Sequence, residues 1–467
     1  MILRKKSKLL RKLFCMMLAG VMVSSSGNVV TNFATQSNGI VYAAETEQTD
    51  SEKFNELVDE LLKAYVTADP LSYNMYIQNP KEYNIDESAI NYKFGEITTT
   101  LDGYKEDDAA TVEIINALNS INYNRLTKDE QDLYDLIRFS YSKPGFNEKF
   151  AFYDQELSPY LGVLANLPNS LANYNFNSKQ DFYNYLEIIK SVPDYFKSVL
   201  EHAKIQSEKG LFMSDRQLDE NIEIAKSFIA NKEDNFMITV FDHNIDKVRM
   251  SKSEAKKLKE ANKDLVLNTM IPAYEDMIKG LEPLRGTGIG DYQGVCAYKN
   301  GKEYYEELVR QYSGSTMSIP QMKKEFEEQR QNLLNEAQKM FMENPDLLNQ
   351  LMTEPLKIKV LSDPNEILEQ LQEKASVLYP KLEGIEFGVK YVDPSLEPYS
   401  APAFVYPISL DGNKEYTVND LIQIKYSEDN VIKFTGDVKN TIEVSTESEI
   451  KEEVGDIVIR SSLTEEE

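Results

Sequence analysis

A chain of 467 residues is long enough to bury a sizeable core, and its 41% apolar residues can supply one. With 77 acidic against 51 basic side chains the formal net charge is −26, a surface that repels nucleic acid and anionic membrane and argues against both as partners. The chain has two histidines, His202 and His243, in unrelated contexts, which leaves little from which to build the two or three imidazole ligands that catalytic zinc commonly takes.

The N-terminus has the pattern of an export signal. Met1 to Lys12 carries Arg4, Lys5, Lys6, Lys8, Arg11 and Lys12 and no acid. An apolar run from Leu13 to Val23 follows, and the small residues Ala43 and Ala44 suit a signal peptidase. Residues 1–43 are therefore expected to be a signal peptide, and the protein to be secreted or otherwise extracytoplasmic, with a place at the cell surface left open. The run is shorter than the about 20 residues that span a bilayer, which disfavours the alternative of a retained anchor. Phe14, before Cys15, does not suit lipid attachment. No later run is long enough to cross a membrane, so no membrane partner is expected after cleavage. Cleavage would leave Cys296 as the single cysteine, without a partner for an intramolecular disulfide.

Residues 44–383 are expected to form a helical domain. Phe54, Leu57, Val58, Leu61, Leu62 and Tyr65 recur at three- and four-residue spacing, as on one face of a helix. Phe182, Leu186, Ile189, Phe196, Val199 and Leu200 repeat the pattern, with Pro193 expected to break that helix or start a new one. Loops are expected at Ser142 to Gly145 and at Arg285 to Gly290. Ser318-Ile319-Pro320-Gln321 has the form of a capping box, and Leu333, Leu334, Ala337 and Phe341 follow on one face. Asp363-Pro364-Asn365-Glu366 is a second helix start, carried inward by Leu368, Leu371, Ala375 and Leu378.

After Gly384 the texture changes. Phe387 to Val392, Leu421 to Tyr426, Val431 to Phe434, Thr441 to Val444 and Asp456 to Arg460 alternate like strands, with turns at Asp411-Gly412 and Glu428 to Asn430. The expected fold class is mainly α with a small β-containing C-terminal extension, a strand-rich segment over residues 384–467.

Several blocks stand in a recognisable order: Phe152 to Gly162, Leu167 to Tyr174, Asp181 to Leu186, Gly210 to Met213, Gly301 to Tyr305, Tyr391 to Leu396, and Pro402-Ala403-Phe404. In this order and spacing, over about residues 50–410, the chain resembles the bacterial family designated domain of unknown function eight-eight-five. The resemblance implies a multi-helix, often exported scaffold related to zinc metallopeptidases. It also implies a His-Glu-x-x-Pro-Gly-His segment soon after the Pro-Ala-Phe block. This chain departs there: no His-Glu pair occurs in it, and no zinc ligand carries over.

Among single residues, His202 is expected to be a surface or helix-end histidine. His243 is placed at a turn or helix boundary, with no ligand role. Cys296 is expected to be a buried inert thiol, since a nucleophile would need a base beside it. The loop of Gly286, Gly288 and Gly290 is not a dinucleotide fingerprint, because Asp291 stands where the third glycine would be. It is expected to be a flexible loop beside the family cleft. Tyr304 and Tyr305 are candidate groove-lining residues, with ordinary packing as the alternative. No catalytic, cofactor-binding or metal-ligating residue is assigned.

Two functional expectations follow. One is an exported metallopeptidase-like scaffold that lacks the catalytic zinc half, does no catalysis, holds no cofactor and binds a peptide or protein. The other is a divergent zinc-dependent peptidase completed by a partner or by unrecognised ligands. A third reading takes the chain as the product of an interrupted reading frame.

Overall fold

The computed structural model describes residues 48–346, apart from 78, 144 and 160, and beyond them 356–357, 363–378, 387–391, 403–407, 420–424, 433–437, 441–445 and 457–458. The expected signal peptide, the expected boundary near 383 and the Asp411-Gly412 turn lie outside the described residues. What is described is mainly helical and falls into two compact units, the first holding the described residues up to Tyr305 together with Tyr406 and Pro407, the second the others from Glu306 on. Among the described residues no helix is long and apolar enough to cross a membrane.

The first unit begins with α1 (Asp50–Ala68), whose start is fixed by a capping box: the Thr49 side chain accepts from the Glu52 amide while the Glu52 carboxylate accepts from the Thr49 amide. Its expected face is buried, from Phe54 to Tyr65. Asp69 caps α2 (Pro70–Tyr76), Thr100 caps α3 (Leu101–Asn119), and Thr127 with Glu130 caps α4 (Lys128–Ser140). The apolar stripes of α1, α3 and α4 close one core cluster that includes Phe54, Leu118, Leu133 and Ile137. After the single turn α5 (Phe146–Lys149) come α6 (Val163–Ala172), α7 (Lys179–Lys209), α8 (Asp215–Ala230), α9 (Phe236–Ile245) and α10 (Lys252–Leu265). A π-turn (Val266–Met270) joins α10 to α11 (Ile271–Leu281).

The 31 residues of α7 span about 46 Å at 1.5 Å per residue and give the unit its spine. Pro193 lies inside this helix and neither breaks nor restarts it, contrary to the expectation. An interior proline costs about 3 kcal/mol. Burial on both sides of it outweighs that cost: Phe182, Tyr185, Ile188, Ile189, Val192, Phe196, Val199 and Ala203 are all buried along one stripe. α11 packs on both α7 and α8. It lies so close to α7 that a Cβ on Gly280 would come within 2.2 Å of the Leu200 side chain.

A second interior proline, Pro168 in α6, removes the amide that would have bonded the Leu164 carbonyl four residues back. The fold supplies another donor. The hydroxyl of Tyr274 on α11, fully buried, donates to that carbonyl at 3.0 Å. The Tyr274 ring stacks on Phe228 of α8 at 4.2 Å and meets Phe196 of α7 edge-on at 5.0 Å.

α12 (Gly301–Ser313) leads from the first unit into the second. There, α13 (Ile319–Glu343) starts at the expected Ser318–Gln321 capping box, and α14 (Pro364–Leu378) follows Asp363, whose carboxylate accepts from the Asn365 amide. Strands β1 (Leu356–Lys357), β2 (Phe387–Tyr391), β3 (Ala403–Pro407), β4 (Asp420–Ile424), β5 (Lys433–Asp437), β6 (Thr441–Ser445) and β7 (Ile457–Val458) are ordered β1-β5-β6-β7 and β2-β4-β3.

Tyr274→Phe should leave the Leu164 carbonyl buried and unsatisfied and cost about 1–3 kcal/mol, measured by chemical denaturation followed by circular dichroism. Because Pro168→Ala restores an amide donor, it should cost about 1 kcal/mol less in the Tyr274→Phe background than in the wild type. Strict additivity would refute this account of the pair.

Candidate functional site

Between α5 and α6 the chain crosses the first unit as a strap, Ala151 to Leu157. Phe152 sits at φ 70°, a left-handed conformation that an aromatic residue rarely adopts. The surroundings hold it there. The carboxamide of Gln206, buried on α7, donates to the Phe152 carbonyl at 2.9 Å and to the Asp154 carbonyl at 2.7 Å. Tyr104 of α3 meets the Phe152 ring edge-on at 5.1 Å, His202 of α7 lies against it at 5.7 Å, and the Lys209 ammonium sits 5.0 Å above it. Gln155 donates to the carbonyls of Tyr153 and Leu211, and Asn221 to that of Leu157.

The strap brings acids into the interior. Glu156 is buried, and burial first, then the charge of Asp154, pushes its carboxyl up to about 8. Asp107 of α3 is also buried; burial, then Asp108, Glu106 and Asp154, raise it to about 6, and its Oδ2 has no hydrogen-bond partner. Asp154 is raised as well, chiefly by burial and against the Tyr304 hydroxyl, which donates to its Oδ1 at 3.1 Å. Beside them the Tyr104 hydroxyl and His202 Nε2 share a hydrogen bond of 3.1 Å. Burial lowers His202 to about 4, so the imidazole is neutral near pH 7. The chemistry present is a set of carboxyls that burial makes harder to ionise, beside a neutral imidazole.

Outside this cluster lies an open cleft of about 320 Å³. It is lined by Leu101 at the start of α3, Glu148 and Lys149 of α5, Ala151 to Tyr153 of the strap, Lys209 at the end of α7, Leu211, and Lys299. Each wall has a local cause. Asp108 caps α5, accepting from the Asn147 and Glu148 amides, and so fixes Lys149. Gly210, at φ 68°, ends α7 with its own amide on the Ser207 carbonyl and the Leu211 amide on the Gln206 carbonyl, so Lys209 and Leu211 both face the cleft. The Tyr153 hydroxyl donates to the Lys299 carbonyl. Lys149 pairs with Glu303, and its ammonium stands 5.4 Å above the Phe150 ring.

The residues singled out from sequence are not brought together. Tyr304 is buried in an aromatic cluster with Phe146, Phe150 and Tyr153, whereas Tyr305, its neighbour about 100° round the helix, is 42% exposed. His202 is 2% exposed, not a surface histidine: it continues the buried stripe of Val199, Ala203 and Gln206. His243 is exposed in the last turn of α9. Cys296 is exposed, not buried, because it falls in a short 3-10 turn (Val295–Ala297) at the surface. The loop of Gly286, Gly288 and Gly290 is pinned rather than flexible. The Gly286 amide donates to Asp215, Ser207 to Thr287, and the Ile289 amide to the Phe212 carbonyl, while a Cβ on Gly288 would fall 1.7 Å from the Met213 carbonyl oxygen. Sequence reasoning gave no role to Gln206, Asp107, Asp154, Glu156 or the three lysines. The local signal for the acids was Asp154-Gln155-Glu156 set among aromatic residues.

His202 is engaged with Tyr104, His243 stands apart on α9, and the described residues hold no group of three or more His, Cys, Asp or Glu placed around a common point.

Glu156 binds its proton more tightly folded than unfolded, so its contribution to stability is complete below pH 4.5 and is lost as the pH rises toward 8. His202 runs the other way and loses stability as the pH falls from 6.5 to 4. Thermal melts should therefore show an alkaline decline between pH 5 and 8, with Glu156 contributing on the order of 4 kcal/mol to it. Glu156→Gln should flatten that limb and leave the acid limb in place. An unchanged alkaline slope in the variant would show that Glu156 is not the group responsible.

A sequence model of the family described as "Bacterial protein of unknown function (DUF885)" matches residues 97–427. Among solved structures, one titled "The crystal structure of the putative lipoprotein from Colwellia psychrerythraea" is similar in fold, with a TM-score of 0.61 over 87% of this chain and 68% of that chain, at 14% identity. No curated protein matches. With the family model covering most of its length, the chain belongs to the DUF885 family of bacterial proteins.

Proposed function

We propose that this protein is an extracytoplasmic, non-catalytic member of DUF885 that binds a peptide in the cleft beside the strap. The observation that carries the reading is the lining of that cleft: the exposed side chain of Leu101, the edges of the largely buried Phe152, Tyr153 and Leu211, and the charged side chains of Glu148, Lys149, Lys209 and Lys299. Such a mixture suits a peptide, whose side chains are partly apolar and whose backbone is polar. The acids beneath the strap act in support, since Asp154 anchors Tyr304. The absence of a His-Glu pair from the sequence favours binding over hydrolysis. The export pattern of residues 1–43 supports the location, in keeping with the words of the neighbour's title. The same reading takes the helical body as a metallopeptidase-like scaffold and residues 384–467 as a folded β-containing extension.

Isothermal titration against pools of short peptides, with mass spectrometry of the same samples, tests the reading. Peptides should bind at micromolar concentration and be recovered intact. Cleaved peptides, with activity removed by a chelator, would establish the peptidase instead. Limited proteolysis should leave the chain beyond residue 410 in place; rapid trimming to Asp411 would sink the folded extension.

A further inference from the structure

We infer that the cleft recognises the free C-terminal carboxylate of its peptide, with the last side chain against the strap; this rests on the peptide-binding reading above and names the group that is bound. Lys149, Lys209 and Lys299 come from three places in the sequence to one cleft of about 320 Å³, in a chain whose net charge is −26. Many lysines of the first unit stand beside an acid, as Lys190 does with Glu187, Lys226 with Glu223 and Lys263 with Glu233. Lys209 and Lys299 have no ion pair among the described residues, and Lys209 rests on the Phe152 ring instead. Lys149 is paired with Glu303, and Glu148 also lines the cleft, so the three ammonium groups exceed the two carboxylates by one positive charge. That excess matches one carboxylate.

The surrounding charge restricts which carboxylate. A peptide rich in Asp or Glu would be repelled by the protein as a whole, so the best ligand carries its only negative charge at its end. The volume lies at the low end of the roughly 300–1,000 Å³ range of ligand pockets, room for a chain terminus rather than a chain passing through. The edge of the largely buried Phe152 ring, under the Lys209 ammonium, and the exposed side chain of Leu101 line the same cleft as the charge. A terminal residue with an apolar side chain presents those two features at adjacent atoms.

The experiment compares peptides of six residues, free of Asp and Glu and ending in Leu or Phe, each made as the free acid and as the C-terminal amide. Titrated into the full chain at low and moderate salt, the acid should bind at least about tenfold more tightly than the amide, a ratio that salt should reduce. The Lys209→Gln, Lys299→Gln double variant should bring the acid down to the affinity of the amide while leaving the amide unchanged. Both positions are exposed, and an unaltered thermal melt would confirm that the variant is folded. If acid and amide bind equally well, the terminal-carboxylate inference is overturned and peptide binding stands. If neither binds, the peptide reading itself fails and takes the inference with it.

Discussion

The strap is tied to the spine helix first by one side chain, the carboxamide of Gln206. It spans from the spine helix α7 to two carbonyls of the strap and holds Phe152 in a conformation that costs on the order of 1–3 kcal/mol. Two hydrogen bonds contribute about 1 kcal/mol each, and the edge-on contact with Tyr104 adds about 0.5–1.5 kcal/mol. The opposing terms are of similar size, so the left-handed turn at Phe152 persists only because the strap is held from several sides. That turn sends the Phe152 ring to the cleft, where it meets Lys209, and the Glu156 carboxyl to the interior.

The interior acids follow from the same turn. Burying a charged carboxylate without an ammonium partner is costly; the protein meets this at Glu156 by raising its carboxyl to about 8, so that it holds its proton near pH 7, and at Asp107 by a smaller rise to about 6. Ordinary salt bridges occur elsewhere, at the surface, where the pair Lys190–Glu187 and its like cost little and stabilise little. The lysines and the acids are therefore divided by depth. Ammonium groups stay in water at the rim, and carboxyls of raised proton affinity, Glu156 foremost, lie under the strap with neutral His202.

Much of the helical fold was legible in the sequence because burial follows the helical period. The Phe54 to Tyr65 face and the Ser318–Gln321 capping box are local patterns, and the structure contains both. His202 was legible in principle: with Val199, Ala203 and Gln206 it continues a stripe that the eye breaks at a polar residue. Tyr304 and Tyr305 read as a pair, but adjacent helical positions point about 100° apart, and one is buried while the other faces solvent. The two interior prolines could not be read locally. Pro168 is tolerated because a hydroxyl 106 positions further along, on Tyr274, reaches the carbonyl it orphans. The candidate cleft was invisible for the same reason: Lys149, Lys209 and Lys299 have neighbours in sequence unrelated to one another, and only the strap brings them together.

Charge gives the last step. A chain with 26 surplus negative charges should hold no surface attractive to an anion if its charges acted at all distances. At physiological ionic strength they do not, because the Debye length is about 8 Å. Within that distance the nearest groups decide the sign of the potential, and at the cleft three lysines outnumber Glu148 and the Glu303 partner of Lys149, two of the lysines being without an ion pair among the described residues. Beyond it, what remains of the acidic field disfavours any ligand that brings more negative charge than the cleft can match. A locally positive cleft on an acidic surface therefore selects for ligand charge in two ways, by attracting one anionic group and by excluding ligands with several.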